Sequence, residues 1–196
     1  MTTKLLWIPA DLPPFPITDK FLLLSKDDHF ACWSFTRLTQ KQPSAYDITW
    51  WNPEFEKNFT EIVEWFNNLP IKNIRNIKFN IQTTVVHPHI DFTNPDANME
   101  LWTNNHDNDP CGYRVLINGA RSNKLYVVNS ANEKIYCCIP PTTNTYLLRH
   151  SDGYHGVDED ENRLVVFIHI EVEPGKHAAI LERSLSKYAS YAIYDI

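Results

Sequence analysis

From Asn76 to Glu173 the chain offers one short strand candidate after another, with turns between and no helix-patterned segment among them. That succession limits the fold more than any other feature, because parallel strands need long, usually helical, crossover connections. The first segment has period two: Ile77, Phe79, Ile81, Thr83 and Val85 alternate with Lys78, Asn80, Gln82 and Thr84, as a half-buried strand requires. Continuing the alternation puts His87, His89 and Asp91 on the same inward face. Tyr113 to Asn118, Leu125 to Asn129, Lys134 to Ile139 and Thr145 to Arg149 follow. Tyr154 to Val157 comes after the Ser151-Asp152-Gly153 turn, and Arg163 to Glu173 after the acidic turn Asp158 to Asn162. The expected fold is mainly β, an antiparallel barrel or jelly roll.

A hydrophobic fraction of 43%, with 13% aromatic, lets 196 residues bury a core as a single domain. Three stretches make it up: an amino-terminal cover and helix (1–75), a β core (76–173), and a carboxy-terminal helix and tail (174–196). Prolines 9, 13, 14 and 16 make the beginning read as extended or irregular chain over the scaffold, with 21–24 and 30–33 as short strand candidates. One helix is expected from Asn52-Pro53-Glu54, where Asn can cap and Pro suits the first turn, through Phe55, Phe59, Ile62, Val63 and Phe66. A second runs from Lys176 to Tyr188, with Ile180, Leu181, Leu185 and Tyr188 on one side. Residues 92–112 form a long aperiodic loop, either a functional lid or an irregular excursion.

A net charge of −6 gives none of the basic excess that tracks a phosphate backbone, so nucleic acid is disfavoured as a partner. Cys32, Cys111, Cys137 and Cys138 include no Cys-x-x-Cys spacing, and reduced thiols are expected. No segment approaches a membrane span or a signal sequence. The expectation is a soluble, cytoplasmic protein, monomer or homodimer, acting on a small molecule or peptide.

His89-Ile90-Asp91 ends the period-two run, and His155 and Arg163 answer it downstream. Residues two apart on a strand share a face, so His89 and Asp91 can converge on one ion. With His155 they make the two-histidine, one-carboxylate set that holds iron(II) with coordination positions open. Arg163 shares a strand face with apolar Val165 and Phe167; facing inward it needs an anion, and a dicarboxylate cosubstrate is one candidate. The alternative is an ion pair with Asp158, Asp160 or Glu161. Arg114 is a second carboxylate-binding candidate. His87 rivals His89, but a His87–His89 pair leaves Asp91 buried without a partner, which is costly. His150 rivals His155, but it precedes a turn and reads as a pocket or surface residue.

These residues resemble the iron(II)- and 2-oxoglutarate-dependent oxygenases, whose pattern is His-x-Asp, a distal His and a basic residue on the last core strand. Tyr113-Arg114-Val115-Leu116 and Tyr154-His155-Gly156-Val157 through Arg163-Leu164-Val165-Val166 look most like the aspartyl/asparaginyl β-hydroxylase and free-proline hydroxylase branch. The resemblance covers Ile77 to Glu173, and Leu116 stands where the branch often has His. It implies a double-stranded β-helix with His89, Asp91 and His155 on iron, Arg163 on the distal carboxylate of 2-oxoglutarate, and Arg114 on the same cosubstrate. The implied reaction hydroxylates an amino-acid side chain, free or in a peptide, with O2, as 2-oxoglutarate is decarboxylated to succinate. Nucleobase demethylation fits the acidic balance poorly. The competing class is a cupin-like module that binds a metal or small ligand without oxygenase chemistry, for which Trp50, Trp51 and Trp102 could form an aromatic subsite.

Overall fold

The computed structural model describes residues 4–19, 22, 32–34, 36–42, 45–51, 53–82, 84–91, 110, 112–122, 124–150, 153–159 and 163–195. Among these the chain is mainly β, with antiparallel sheets and a few helices. The strands are β1 (Lys4–Pro9), β2 (Cys32–Ser34), β3 (Thr36–Gln42), β4 (Ala45–Trp51), β5 (Ile71–Gln82), β6 (Val86–His89) and β7 (Gly112–Asn118). They continue with β8 (Leu125–Val128), β9 (Lys134–Tyr136), β10 (Thr145–Leu148), β11 (His155–Val157), β12 (Arg163–Val172) and β13 (Ile193–Asp195). The helices are α1 (Pro53–Asn58), α2 (Thr60–Phe66) and α3 (Pro174–Tyr188), the last followed by a 3₁₀ turn at Ala189–Tyr191.

A nine-stranded sheet has the order β13-β1-β10-β7-β12-β5-β4-β3, with β2 also paired to β5; a four-stranded sheet has the order β6-β11-β8-β9. β12 anchors the larger sheet, pairing with β5 from Arg163↔Gln82 to Val172↔Ile71 and with β7 along its other edge. Its near-continuous apolar run suits a strand buried on both faces. Leu164, Val166, Ile168, Ile170 and Val172 pack in one cluster with Ile62 and Phe66 of α2 and Ile180 and Leu181 of α3. Val165, facing the other way, joins Leu116, Tyr146 and Leu148 of the large sheet to Leu125, Val127 and Val157 of the small one. Each such aliphatic side chain, fully buried, contributes about 1.5–3 kcal/mol.

Three expectations need correction. The helix expected from Asn52 onward is two helices, because Phe59 leaves helical geometry at φ −137° and ψ 46°. Phe59, Ile62, Val63, Trp65 and Phe66 are all buried, so the apolar face expected at helical spacing is kept across the break. Trp65 Nε1 donates to Pro13 O at 2.7 Å. The alternation expected from Ile77 to Asp91 does not persist either. β5 ends at Gln82, β6 belongs to the other sheet, and Val85 and His87 are exposed. A bulge between the pairs His155↔His89 and Val157↔Val86 turns Val86 rather than His87 to the side of His89. Finally, the amino-terminal segment supplies strands as well as cover: buried β1 lies between β10 and β13 within the large sheet.

The tail helix is present as α3, with Pro174 in its first turn and Ile180, Leu181 and Tyr188 buried. Candidate strand 30–33 overlaps β2. Candidate strand 21–24, apart from Leu22, and loop 92–112, apart from Pro110 and Gly112, lie outside the described residues. So do Asn52, Asp160, Glu161 and the side chains of Trp50, Trp51 and Trp102. No helix among the described residues is long and apolar enough to cross a membrane.

Candidate metal centre

His89 closes β6 and His155 opens β11, and the antiparallel pairing sets them directly opposite each other. Gly156 permits this approach: a Cβ there would lie 2.3 Å from the Tyr126 hydroxyl and 2.5 Å from Val86 O. Asp91 follows β6, and its backbone N–H donates to His150 O at 2.8 Å. That bond ties the end of the His-x-Asp segment to the chain just beyond β10.

Three donors converge. His89 Nε2 is 3.3 Å and His155 Nε2 3.6 Å from Asp91 Oδ1, and ligand atoms of the three residues all lie within 4.8 Å of one another, a spacing that can hold a metal ion. The remaining ring nitrogens face backbone carbonyls, His89 Nδ1 at 2.9 Å from His87 O and His155 Nδ1 at 3.3 Å from Gly153 O. A carbonyl only accepts, so each neutral ring carries its proton on Nδ1 and turns the Nε2 lone pair toward Asp91. In these tautomers two nitrogen lone pairs and a carboxylate oxygen face one point, an arrangement that a cation among them would stabilise. The donor set therefore fits a metal.

The other carboxylate oxygen is held separately. Arg114 Nη2 donates to Asp91 Oδ2 at 3.0 Å, and His150 Nδ1 is 3.5 Å from the same oxygen. Burial opposes ionisation of Asp91, but His150, His155, His89 and Arg114 outweigh it and hold the carboxyl well below the usual range. Asp91 in turn raises the pKa of His89, against burial. His150 is pushed down to about 4, chiefly by burial, with Asp91 opposing.

Arg163 lines the same cavity as His89, Asp91 and His155 and is 2% exposed. Among the described residues its hydrogen-bond partners are neutral: Nη1 donates to Gln82 Oε1, and Nη2 to the Tyr146 hydroxyl at 2.9 Å. The cavity of about 190 Å³ far exceeds the roughly 10–15 Å³ one ordered water needs. Val86, Leu125, Leu148, Val157 and Phe167 supply its apolar walls.

The structure thus brings His89, Asp91, His155, Arg163 and Arg114 to one cavity. His87 does not line it, and His150, buried, stands behind Asp91 rather than in the donor triangle. Asp158, one of the anions considered for Arg163, instead pairs with Lys134 and Tyr136 at the surface. Gln82 and Tyr146 were not anticipated: Gln82 is one of several polar alternates on its strand, and only Tyr146, a hydroxyl beside the apolar Leu147 and Leu148, offered a local signal. No protein-family model matches the chain, and no curated protein matches it.

Proposed function

We propose that this protein is an iron(II)- and 2-oxoglutarate-dependent dioxygenase that hydroxylates an amino-acid side chain, free or within a peptide. The observation that carries the reading is Arg163, a buried guanidinium with neutral hydrogen-bond partners, in the same cavity as two histidines and a carboxylate. Burying a cation is costly unless an anion joins it, and a planar guanidinium suits a carboxylate. A ligand with one carboxylate at Arg163 and another donor group at the metal meets both demands.

Strand order supports a double-stranded β-helix: β5, β6, β7 and β8 fall alternately in the large and small sheets, β9 stays in the small one, and β10, β11 and β12 alternate again. A jelly roll wraps eight strands into two sheets. In this reading His89, Asp91 and His155 hold iron(II), leaving coordination positions open. The bound iron would supply the oxidising chemistry in which O2 is consumed, 2-oxoglutarate yields succinate and carbon dioxide, and a substrate C–H bond becomes C–OH. Arg163 orients the distal carboxylate of 2-oxoglutarate, while Gln82 and Tyr146 aim the guanidinium. Leu125, Val157 and Phe167 exclude water from the reacting centre. The hydroxylation of an amino-acid side chain rests on the branch resemblance.

The test is an anaerobic titration of metal-free protein with iron(II) and then 2-oxoglutarate, following the visible metal-to-ligand charge-transfer band. The band is expected in the wild type, absent in Asp91→Ala and weakened in Arg163→Ala. Metal binding without any effect of 2-oxoglutarate would favour the cupin-like binding module instead.

A further inference from the structure

We propose that Arg114 is a positioning residue for the metal ligand Asp91, gripping Oδ2 so that Oδ1 alone turns toward the two histidines, while His150 holds the Asp91 main chain. The inference rests on the metal-centre reading above and assigns Arg114 a different task from the cosubstrate contact that the family resemblance implies.

The two oxygens of Asp91 have separate company. Oδ1 faces the Nε2 atoms of His89 and His155, whereas Oδ2 faces Arg114 Nη2 at 3.0 Å and His150 Nδ1 at 3.5 Å. A half-turn about Cβ–Cγ only exchanges two equivalent oxygens, whereas a partial turn would draw the carboxylate away from Arg114 and lose the charge-assisted bond, so one carboxylate plane prevails. Arg114 is itself pinned: Nη1 donates to Tyr113 O at 2.9 Å, and the guanidinium lies 4.5 Å from the Phe167 ring centroid. With 2% of its surface exposed, it has little room to swing toward another anion. His150 is fixed by close packing, since a Cβ on Gly112 would come within 2.1 Å of its Cδ2. The same residue holds the Asp91 main chain through its carbonyl.

The consequence is a one-oxygen ligand. A carboxylate free to rotate can chelate a metal through both oxygens and occupy two positions; with Oδ2 committed to Arg114, Asp91 takes one and leaves the neighbouring position to the reactants. Groups that orient ligands in this way typically matter 10–100-fold in metal affinity.

The experiment measures the Co(II) affinity and visible Co(II) spectrum of the anaerobic, metal-free protein as wild type, Arg114→Gln, Arg114→Lys and Asp91→Ala, then the dissociation constant of 2-oxoglutarate on each Co(II)-loaded form. Arg114→Gln is expected to bind Co(II) about 10–100-fold more weakly and to shift the Co(II) spectrum, with Arg114→Lys recovering part of both and the far-ultraviolet circular dichroism unchanged. Should Arg114→Gln fail to fold, Arg114→Lys carries the test, with a smaller weakening and spectral shift in the same direction. Unchanged Co(II) affinity and spectrum with a weakened 2-oxoglutarate complex would make Arg114 a cosubstrate anchor and overturn the inference, leaving the metal centre intact. Asp91→Ala binding Co(II) as tightly as the wild type would remove the metal centre itself, and the inference with it.

Discussion

His89 and His155 face each other across the β6–β11 pair, with ring centroids 4.5 Å apart and planes inclined at 47°. Their separation is set by backbone hydrogen bonding more than by either side chain, so a residue that widens the ladder acts on the candidate metal site. Gly156→Ala would drive a methyl group into Val86 O and the Tyr126 hydroxyl. It is expected to cost about 1–3 kcal/mol of stability, the usual price of overpacking, and to weaken Co(II) binding at least tenfold. Denaturant unfolding and a Co(II) titration of the same preparation check both.

Tyr146→Phe removes a donor's partner from Arg163 without touching the three metal ligands. The loss of one hydrogen bond to a charged group, about 1.5–3 kcal/mol, is expected to weaken 2-oxoglutarate binding by about 10–150-fold. Co(II) affinity should stay within twofold. Calorimetric titration of each ligand separates the two effects, and a parallel fall in both would show that Tyr146 serves the fold rather than the guanidinium.

Cys137 and Cys138 are chain neighbours with opposite environments, one buried and one exposed. At pH 8 a thiol reagent is expected to modify Cys138 rapidly in the folded protein and Cys137 only on unfolding, as peptide mapping after timed alkylation would reveal.

Burial also pushes the Cys137 thiol well above its ordinary value, with Arg163 opposing. As pH rises past about 8.5 the unfolded chain releases this proton first, so the unfolded state binds fewer protons and stability falls. The contribution is complete below about pH 8.5 and is lost as pH climbs toward the folded value. Wild type should therefore lose more stability than Cys137→Ala between pH 7.5 and 10, a difference in slope that paired denaturation curves measure.

Leu147 and Leu148 are adjacent and buried on opposite faces of β10, Leu147 in the cluster beneath the helices and Leu148 on the cavity side. Leu147→Ala is expected to cost about 2–5 kcal/mol with ligand affinities unchanged in the folded fraction. Leu148→Ala should alter 2-oxoglutarate affinity as well. Unfolding midpoints and titrations on both variants test the division.

What the amino acids disclosed in advance follows from how local each signal is. The strands of 112–172 announce themselves through apolar runs and turn residues, and the His-x-Asp pair is visible because two positions on one strand suffice to write it. The β6 bulge has no such local mark: whether Val86 or His87 turns inward depends on β11, far along the chain. The break at Phe59 has no local mark either, because Phe59, Ile62, Val63 and Phe66 keep helical spacing across it. β1 and β13 pair with each other and β1 with β10, associations that short windows cannot contain. Gln82 and Tyr146 meet Arg163 from separate strands, so their common purpose is invisible until those strands are assembled.

The donors come from positions 89, 91 and 155, and their opposition depends on β11 pairing with β6, from which β7 to β10 separate it along the chain. A chain emerging in order from its start has two of the three donors long before the third, and holds them in no fixed relation. Tight metal capture should therefore wait for nearly the whole sheet to close. An ion held by all three donors would favour the native chain and draw the folding equilibrium toward it by mass action. Metal supply during synthesis would thereby become a determinant of how much protein survives, quite apart from how much of it is active.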